Sequence, residues 1–183
     1  SFATIATGGF STRTASIAYY DSVLIETILL VFMCLSTLHF GMIFLLVAKG
    51  SVILFKSPVI RYYIVSSLIV GVLVSVNLWF TGTFDSLGES FRHGIFQTFS
   101  LVSTTGFATT DSSVWPYFSI LLLLFLTLQG GCSGSTTGGI KSDRILIAFY
   151  SIKSHITKRL HPKSVVPTRV GGQALDPDMV TGV

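Results

Sequence analysis

Two stretches decide the reading: SFATIATGGFST at residues 1–12 and TFSLVSTTGFAT at residues 98–109 align without a gap. The constant offset pairs Phe2 with Phe99, Thr7 with Thr104, Gly9 with Gly106, Phe10 with Phe107 and Thr12 with Thr109. A strongly apolar run follows each copy, so the unit is a Thr/Gly loop and then a helix, used twice. A single TGGF or TTGF is what an ordinary extracellular turn also looks like, because Thr and Gly are common loop residues and short Gly motifs recur by chance. Two aligned copies in matching places along the chain argue for a shared role.

Working outward, the 183 residues are 50% hydrophobic and only 11% charged, with a mean hydropathy of +0.73. Soluble domains carry roughly one-quarter charged residues, so a membrane protein is the first expectation, and the apolar spans described next make it an all-α membrane protein. The twelve basic residues are spread unevenly and the net charge is only +4, which argues against nucleic acid as a partner. Cys34 and Cys132 lie in apolar or Gly-rich sequence without CxxC spacing, so neither a disulfide framework nor a zinc site is expected. The chain begins inside a polar Thr/Gly run with no initiator Met or charged leader, and reads as a piece of a longer protein.

Residues 22–48 form a nearly unbroken apolar run, interrupted by Glu26 and His39, and are expected to be one spanning helix. A polar turn over 49–58, holding Lys49, Lys56 and Pro58, leads into a second span over 59–80. Residues 89–103, with Arg92, His93 and Gln97, are too short to cross and return, which suits a re-entrant pore helix. A further apolar helix over 115–129 stops at Gly130 and resumes over 140–160, interrupted by GGCSGSTTGG. The expected organisation is therefore a loop and helix over 1–48, a complete helix, pore-loop, helix repeat over 49–160, and a connector over 161–183. Lys49, Lys56 and Arg61 fall on one side with Lys141, Arg144, Lys153, Lys158, Arg159, Lys163 and Arg169, and the excess of Lys and Arg makes that side cytoplasmic. Both Thr/Gly loops then face outside.

Loops of this kind suit a monovalent cation. A dehydrated ion must be met by a ring of oxygens, and backbone carbonyls supply them without fixed negative charge. Gly permits the backbone angles that turn carbonyls inward, and Thr adds a hydroxyl oxygen. Irregular backbone at membrane depth is tolerated where it is buried in protein or lines a watery path.

The segments ATGGFST, STTGFATTD and GGCSGSTTGGIKSDR resemble the TrkH/KtrB family of potassium transporters. That family is built from four helix, pore-loop, helix repeats around one pore, and the resemblance covers the second filter through the third repeat, with helix/pore-loop/helix units and re-entrant filters. It implies potassium uptake across the bacterial inner membrane by a multi-pass protein that is not an enzyme and binds no cofactor beyond the transported K⁺. By position, Gly9 and Gly106 match the filter glycines, while Ala6, Thr7, Gly8, Ser103, Thr104 and Thr105 supply the preceding carbonyl row. Each loop lacks the second Gly of the TVGYG signature, which implies modest selectivity over sodium. The resemblance further implies a homodimer in membrane lipid and a cytosolic nucleotide-binding regulatory subunit of the TrkA kind.

The break in the last helix holds Gly130, Gly131, Gly134, Gly138 and Gly139, the small polar Ser133, Ser135, Thr136 and Thr137, and Cys132. Such glycine density prevents a stable helix and gives hinge freedom. The resemblance makes it an intramembrane gate beneath the filter. Three competing readings are a phosphate-binding P-loop in a nucleotide-hydrolysing membrane enzyme, a secondary transporter with a discontinuous helix, and a non-transporting scaffold. GSTTGGIKS at 134–142 approaches GxxxxGK[ST], but Ile140 stands where Lys must follow Gly139. A discontinuous helix binding substrate at its ends suits the secondary transporter. Among lesser features, His39 is expected to hydrogen-bond another helix, Asn77 to act as interhelical glue, and Glu26 to reach interfacial water. Asp111 suits either an N-cap for the following span or an attractor of cations at the mouth. The cationic face over 140–159 suits anionic lipid or a cytosolic partner.

Overall fold

A computed structural model describes residues 2–49, 57–160, 169–170 and 173–174. The described chain is helical apart from one antiparallel pair, β1 Arg169–Val170 with β2 Gln173–Ala174. Most of the turn expected over 49–58, and the expected connector over 161–183 beyond that pair, lie outside the described residues.

The helices are α1 Phe2–Ile5, α2 Val23–Ser36, α3 Phe40–Lys49, α4 Pro58–Phe80, α5 Leu87–Val102, α6 Tyr117–Gln129 and α7 Ser142–Leu160. Pro58 opens α4 at a position where a missing N–H is harmless. The 23 residues of that helix rise about 35 Å, enough for a hydrocarbon core of roughly 30 Å. Ser86 caps α5 by accepting from the Glu89 N–H at 3.1 Å, and Glu89 adds a favourable anion to the helix's first turn.

Small residues set how closely α4 and α5 approach. Ser67, Gly71 and Ser75 recur every fourth residue on α4, Ser90, Gly94 and Thr98 on α5, and all six are buried. A Cβ added at Gly94 would lie 2.4 Å from Ser75 Oγ and 3.1 Å from Ser75 Cα, and one at Gly71 would meet Thr98. The hydroxyls bond within their own helices, Ser75 Oγ to the Gly71 carbonyl and Thr98 Oγ1 to the Gly94 carbonyl, each at 2.7 Å. This is close packing by small residues where lipid offers no hydrophobic drive. Asn77 Oδ1 accepts from Ser119 Oγ at 2.8 Å, joining α4 to α6.

Two apolar clusters flank this axis. One joins Tyr63, Val74 and Leu78 of α4 to Phe99 and Val102 of α5, Leu123 and Leu126 of α6, and Cys132. The other joins Leu29 and Met33 of α2 to Phe96 of α5 and Phe107.

The expected unbroken span over 22–48 is corrected: α2 ends at Ser36 and α3 begins at Phe40. Ser36 and Thr37 turn their hydroxyls back to the carbonyls of Met33 and Cys34, both at 2.7 Å, which competes with continued helix. His39 then caps α3, its Nδ1 accepting from the Gly41 N–H at 3.0 Å. Among the described residues its bond is thus local, within the start of α3, where a bond to another helix was expected. Both apolar runs that follow a Thr/Gly loop are therefore interrupted, after 14 residues in α2 and 13 in α6.

Candidate functional site

The two Thr/Gly loops open on the same set of capping bonds. After α1, the N–H groups of Ala6, Thr7 and Gly8 donate to the carbonyls of Phe2, Thr4 and Ala3 at 3.0, 3.2 and 2.9 Å. After α5, those of Ser103, Thr104 and Thr105 donate to Phe99, Leu101 and Ser100 at 3.0, 2.9 and 3.0 Å. Each set is a Schellman cap, in which the residue just past the helix takes the left-handed conformation. That residue is normally Gly, yet here it is Thr7 with φ +50° and Thr104 with φ +54°. A β-branched residue is strained there, at a cost of order 1–3 kcal/mol, so the surroundings must hold it in place. The cap of α5 also places the partial negative charge of that 16-residue helix's C-terminus at the second loop, a favourable setting for a cation.

Gly9 and Gly106 take positive φ at equivalent places, +61° and +79°, but their settings differ. A Cβ at Gly9 would lie 2.1 Å from the Thr105 carbonyl oxygen, so the two loops touch there backbone to backbone. A Cβ at Gly106 would meet nothing within 4 Å. The second loop is braced from inside: Ser103 Oγ bonds Thr105 Oγ1 at 2.8 Å, and Ser100 Oγ donates to the Phe107 carbonyl at 2.5 Å. Ala108 ties it to the first repeat, its carbonyl accepting from the N–H groups of Ile17 and Ala18 at 3.1 Å each.

The Gly-rich loop over 130–139 reaches both strained threonines. Thr7 Oγ1 donates to the Thr136 carbonyl at 3.1 Å, and Thr104 Oγ1 accepts from the Gly138 N–H at 2.9 Å. Thr136 Oγ1 donates to the carbonyl of Ile5 at 2.9 Å, the last residue of α1. On its other side the loop fills the break between α2 and α3. The Cys132 N–H donates to the Thr37 carbonyl at 3.0 Å, the Phe40 N–H donates to the Gly134 carbonyl at 3.2 Å, and a Cβ at Gly134 would lie 2.9 Å from the His39 ring. Two grips come from the start of α7: Lys141 Nζ donates to the Thr137 carbonyl, and the Ser133 N–H donates to Asp143 Oδ2.

A phosphate cradle does not fit this arrangement. The segment before the loop is helix α6 rather than a strand, and the lysine that would hold a phosphate is engaged with the loop's own oxygens.

At the N-terminal ends of α2 and α5 lies a charged cluster that the sequence left unpaired. Arg92 of α5 holds Glu26 of α2 through two bonds, Nε to Oε2 at 2.7 Å and Nη2 to Oε1 at 2.8 Å, and reaches Asp21 at 2.9 Å. Glu26 is buried, where the expectation was interfacial water. The two residues are far apart in sequence, and only their shared position near the N-terminal ends of α2 and α5 could have signalled the pair. Asp111 caps the short 3-10 turn Ser112–Val114, Oδ1 accepting from the Ser113 N–H at 2.9 Å, rather than the following apolar helix α6, whose N-cap is Pro116. Hydrogen bonds from Ser113 hold its carboxyl below the usual carboxylate range, so it stays an exposed anion.

The structure thus brings together Thr7, Gly9, Thr104, Thr105, Thr136 and Gly138. It adds Lys141, Asp143, Thr37 and His39 as residues that hold the loop.

Residues 1–183 match the family model described as TrkH, cation transport protein. Among curated proteins, the chain is 38% identical over 176 residues to the Trk system potassium uptake protein TrkH of Salmonella typhimurium, covering 96% of this chain and 36% of that protein. It is 38% identical to TrkH of Vibrio parahaemolyticus, covering 100% of this chain and 38% of that one, and 35% identical to TrkG of Escherichia coli, covering 93% and 35%. The crystal structure of the potassium transporter TrkH from Vibrio parahaemolyticus superposes with a TM-score of 0.89 at 36% identity, over 98% of this chain and 39% of that chain. The chain thus spans little more than a third of the length of these relatives.

Proposed function

The chain belongs to the TrkH family of cation transport proteins, and from that premise we propose that it supplies two of the loops that select potassium in a membrane uptake protein. Its residues form part of a pore, with 1–48 closing one repeat and 49–160 forming the next. The carbonyls of Ala6, Thr7, Gly8 and Gly9, and of Ser103, Thr104, Thr105 and Gly106, meet the dehydrated K⁺, and residues 130–139 act as the gate beneath them. The protein works as a multi-pass homodimer in the bacterial inner membrane, regulated by a nucleotide-binding subunit of the TrkA kind.

One observation carries this reading. The loops share caps, left-handed threonines and positive-φ glycines, and both threonines bond the same Gly-rich loop. A filter and a gate must communicate, and here each filter loop is bonded to the gate through a threonine whose backbone is strained. Ion flow needs no covalent chemistry: the oxygens replace hydration, and the loop sets access.

The test uses a full-length protein carrying this sequence, expressed in a strain that lacks its own potassium uptake. Growth at low external K⁺ is the expected result, with Gly106→Ser reducing the preference for K⁺ over Na⁺. No growth from well-expressed protein, or an unaltered ion preference in the Gly106 variant, overturns the reading.

A further inference from the structure

We propose that residues 135–137 form a second monovalent-cation site, inside the gate, and that the ammonium of Lys141 is the cation that fills it when the gate is closed. The inference rests on the reading of 130–139 as a gate and adds what holds that gate shut.

Lys141 Nζ faces four neutral oxygens: the carbonyl and hydroxyl of Ser135 at 3.4 and 3.5 Å, the hydroxyl of Thr137 at 3.2 Å, and the Thr137 carbonyl. Carbonyls and hydroxyls without a carboxylate are the ligand set of the filter loops themselves. An ammonium and a potassium ion carry the same charge and have similar size, so a cradle built for one accepts the other.

The position of Lys141 is unfavourable on two counts. Its φ is +78°, in the left-handed region that a residue with a side chain rarely adopts. It also caps α7, its carbonyl accepting from the Arg144 N–H at 3.1 Å, which sets a cation at the positive end of the helix dipole. Neither suits a lysine whose task is to start a helix. Both follow if the backbone is bent to aim the ammonium into the loop, since strain of this kind persists where the surroundings over-determine it. Asp143, in the same first turn, accepts from the Ser133 N–H. The start of α7 therefore clasps the loop at both ends, with a cation on its carbonyls and an anion on its amide.

Lys141 and a permeating ion then compete for one cradle. With the ammonium in place, the loop is held against Thr7 and Thr104. An ion that takes its place releases the clasp.

Lys141→Gly is the informative variant, because it removes the ammonium and relieves the positive φ, so it is expected to fold. Lys141→Gln serves as a second, independent removal. Full-length protein in liposomes is assayed for ⁸⁶Rb⁺ flux and for Rb⁺ bound at equilibrium, beside a deletion of 134–136. We expect flux several-fold above the parent and one additional Rb⁺ bound per chain in both lysine variants. If the deletion raises flux but the lysine variants do not, the gate reading stands and the clasp is wrong. Raised flux without additional Rb⁺ overturns the cation site, and unchanged flux in the deletion overturns gate and clasp together.

Discussion

Thr7 and Thr104 show what a repeat preserves at the scale of one residue. Each sits where a Schellman cap prefers Gly, and each uses its hydroxyl to bond the Gly-rich loop, so the strain is offset by a contact that Gly cannot make. The paired glycines that follow divide their labour. Gly9→Ala meets two obstacles, the left-handed φ and a Cβ 2.1 Å from a backbone oxygen. Gly106→Ala meets only the first, about 1 kcal/mol. We therefore expect Gly9→Ala to abolish Rb⁺ uptake and Gly106→Ala to retain a measurable fraction of it, in full-length protein matched for membrane level. Equal losses would show that the contact between loops is unimportant. The alignment of 1–12 with 98–109 made the pairing of these residues legible. The left-handed threonines were not, since nothing in a β-branched residue advertises positive φ.

At the scale of elements, the Arg92 cluster fixes α5, the helix that carries the second loop, against α2, the helix that follows the first. The pair with Glu26 is bidentate and its carboxylate is buried, whereas Asp21 is largely exposed and adds little. Arg92→Gln leaves a buried, unpaired carboxylate, which costs on the order of 3 kcal/mol. The expected result is a clearly lowered melting temperature in detergent, with recovery of more than half the loss in the Glu26→Gln, Arg92→Gln double variant. No recovery would mean that the guanidinium matters for packing rather than for the carboxylate. The long span α4, the short apolar-polar α5 and the break after α6 were all legible, because hydropathy and glycine density report them. The break between α2 and α3 was hidden, because the few polar residues Ser36, Thr37 and His39 are averaged into long apolar flanks, and only the local hydroxyl bonds and the His39 cap show where helix stops.

At the scale of the whole molecule, the Gly-rich loop is wedged between two interrupted helices and two capped loops, so its position reports on all four. Gly134 is where it meets the α2–α3 break, with φ +74°, and a methyl group there would press on the His39 ring from 2.9 Å. Gly134→Ala should lift the loop from that break and raise basal Rb⁺ flux at least twofold, and adding His39→Ala should return part of the increase by making room. Flux in Gly134→Ala equal to the parent's would show that the break plays no part in closure. No such docking is visible in a linear sequence, where Thr37 and Cys132 are merely two residues in separate segments.

The interrupted helices bear on how the protein is made. Among the described residues only α4 is long and apolar enough to cross a membrane by itself, while α2 and α6 are shorter apolar helices. At 1.5 Å per residue, 14 residues reach about 21 Å, short of the hydrocarbon thickness. During biogenesis α4 is therefore the segment that can partition into the bilayer unaided. The half-spans gain a stable depth only once their partners are in place, the apolar and Asn77 side of α4 for α6 and α5 with the Gly-rich loop for α2, which makes the order of insertion a property of the fold.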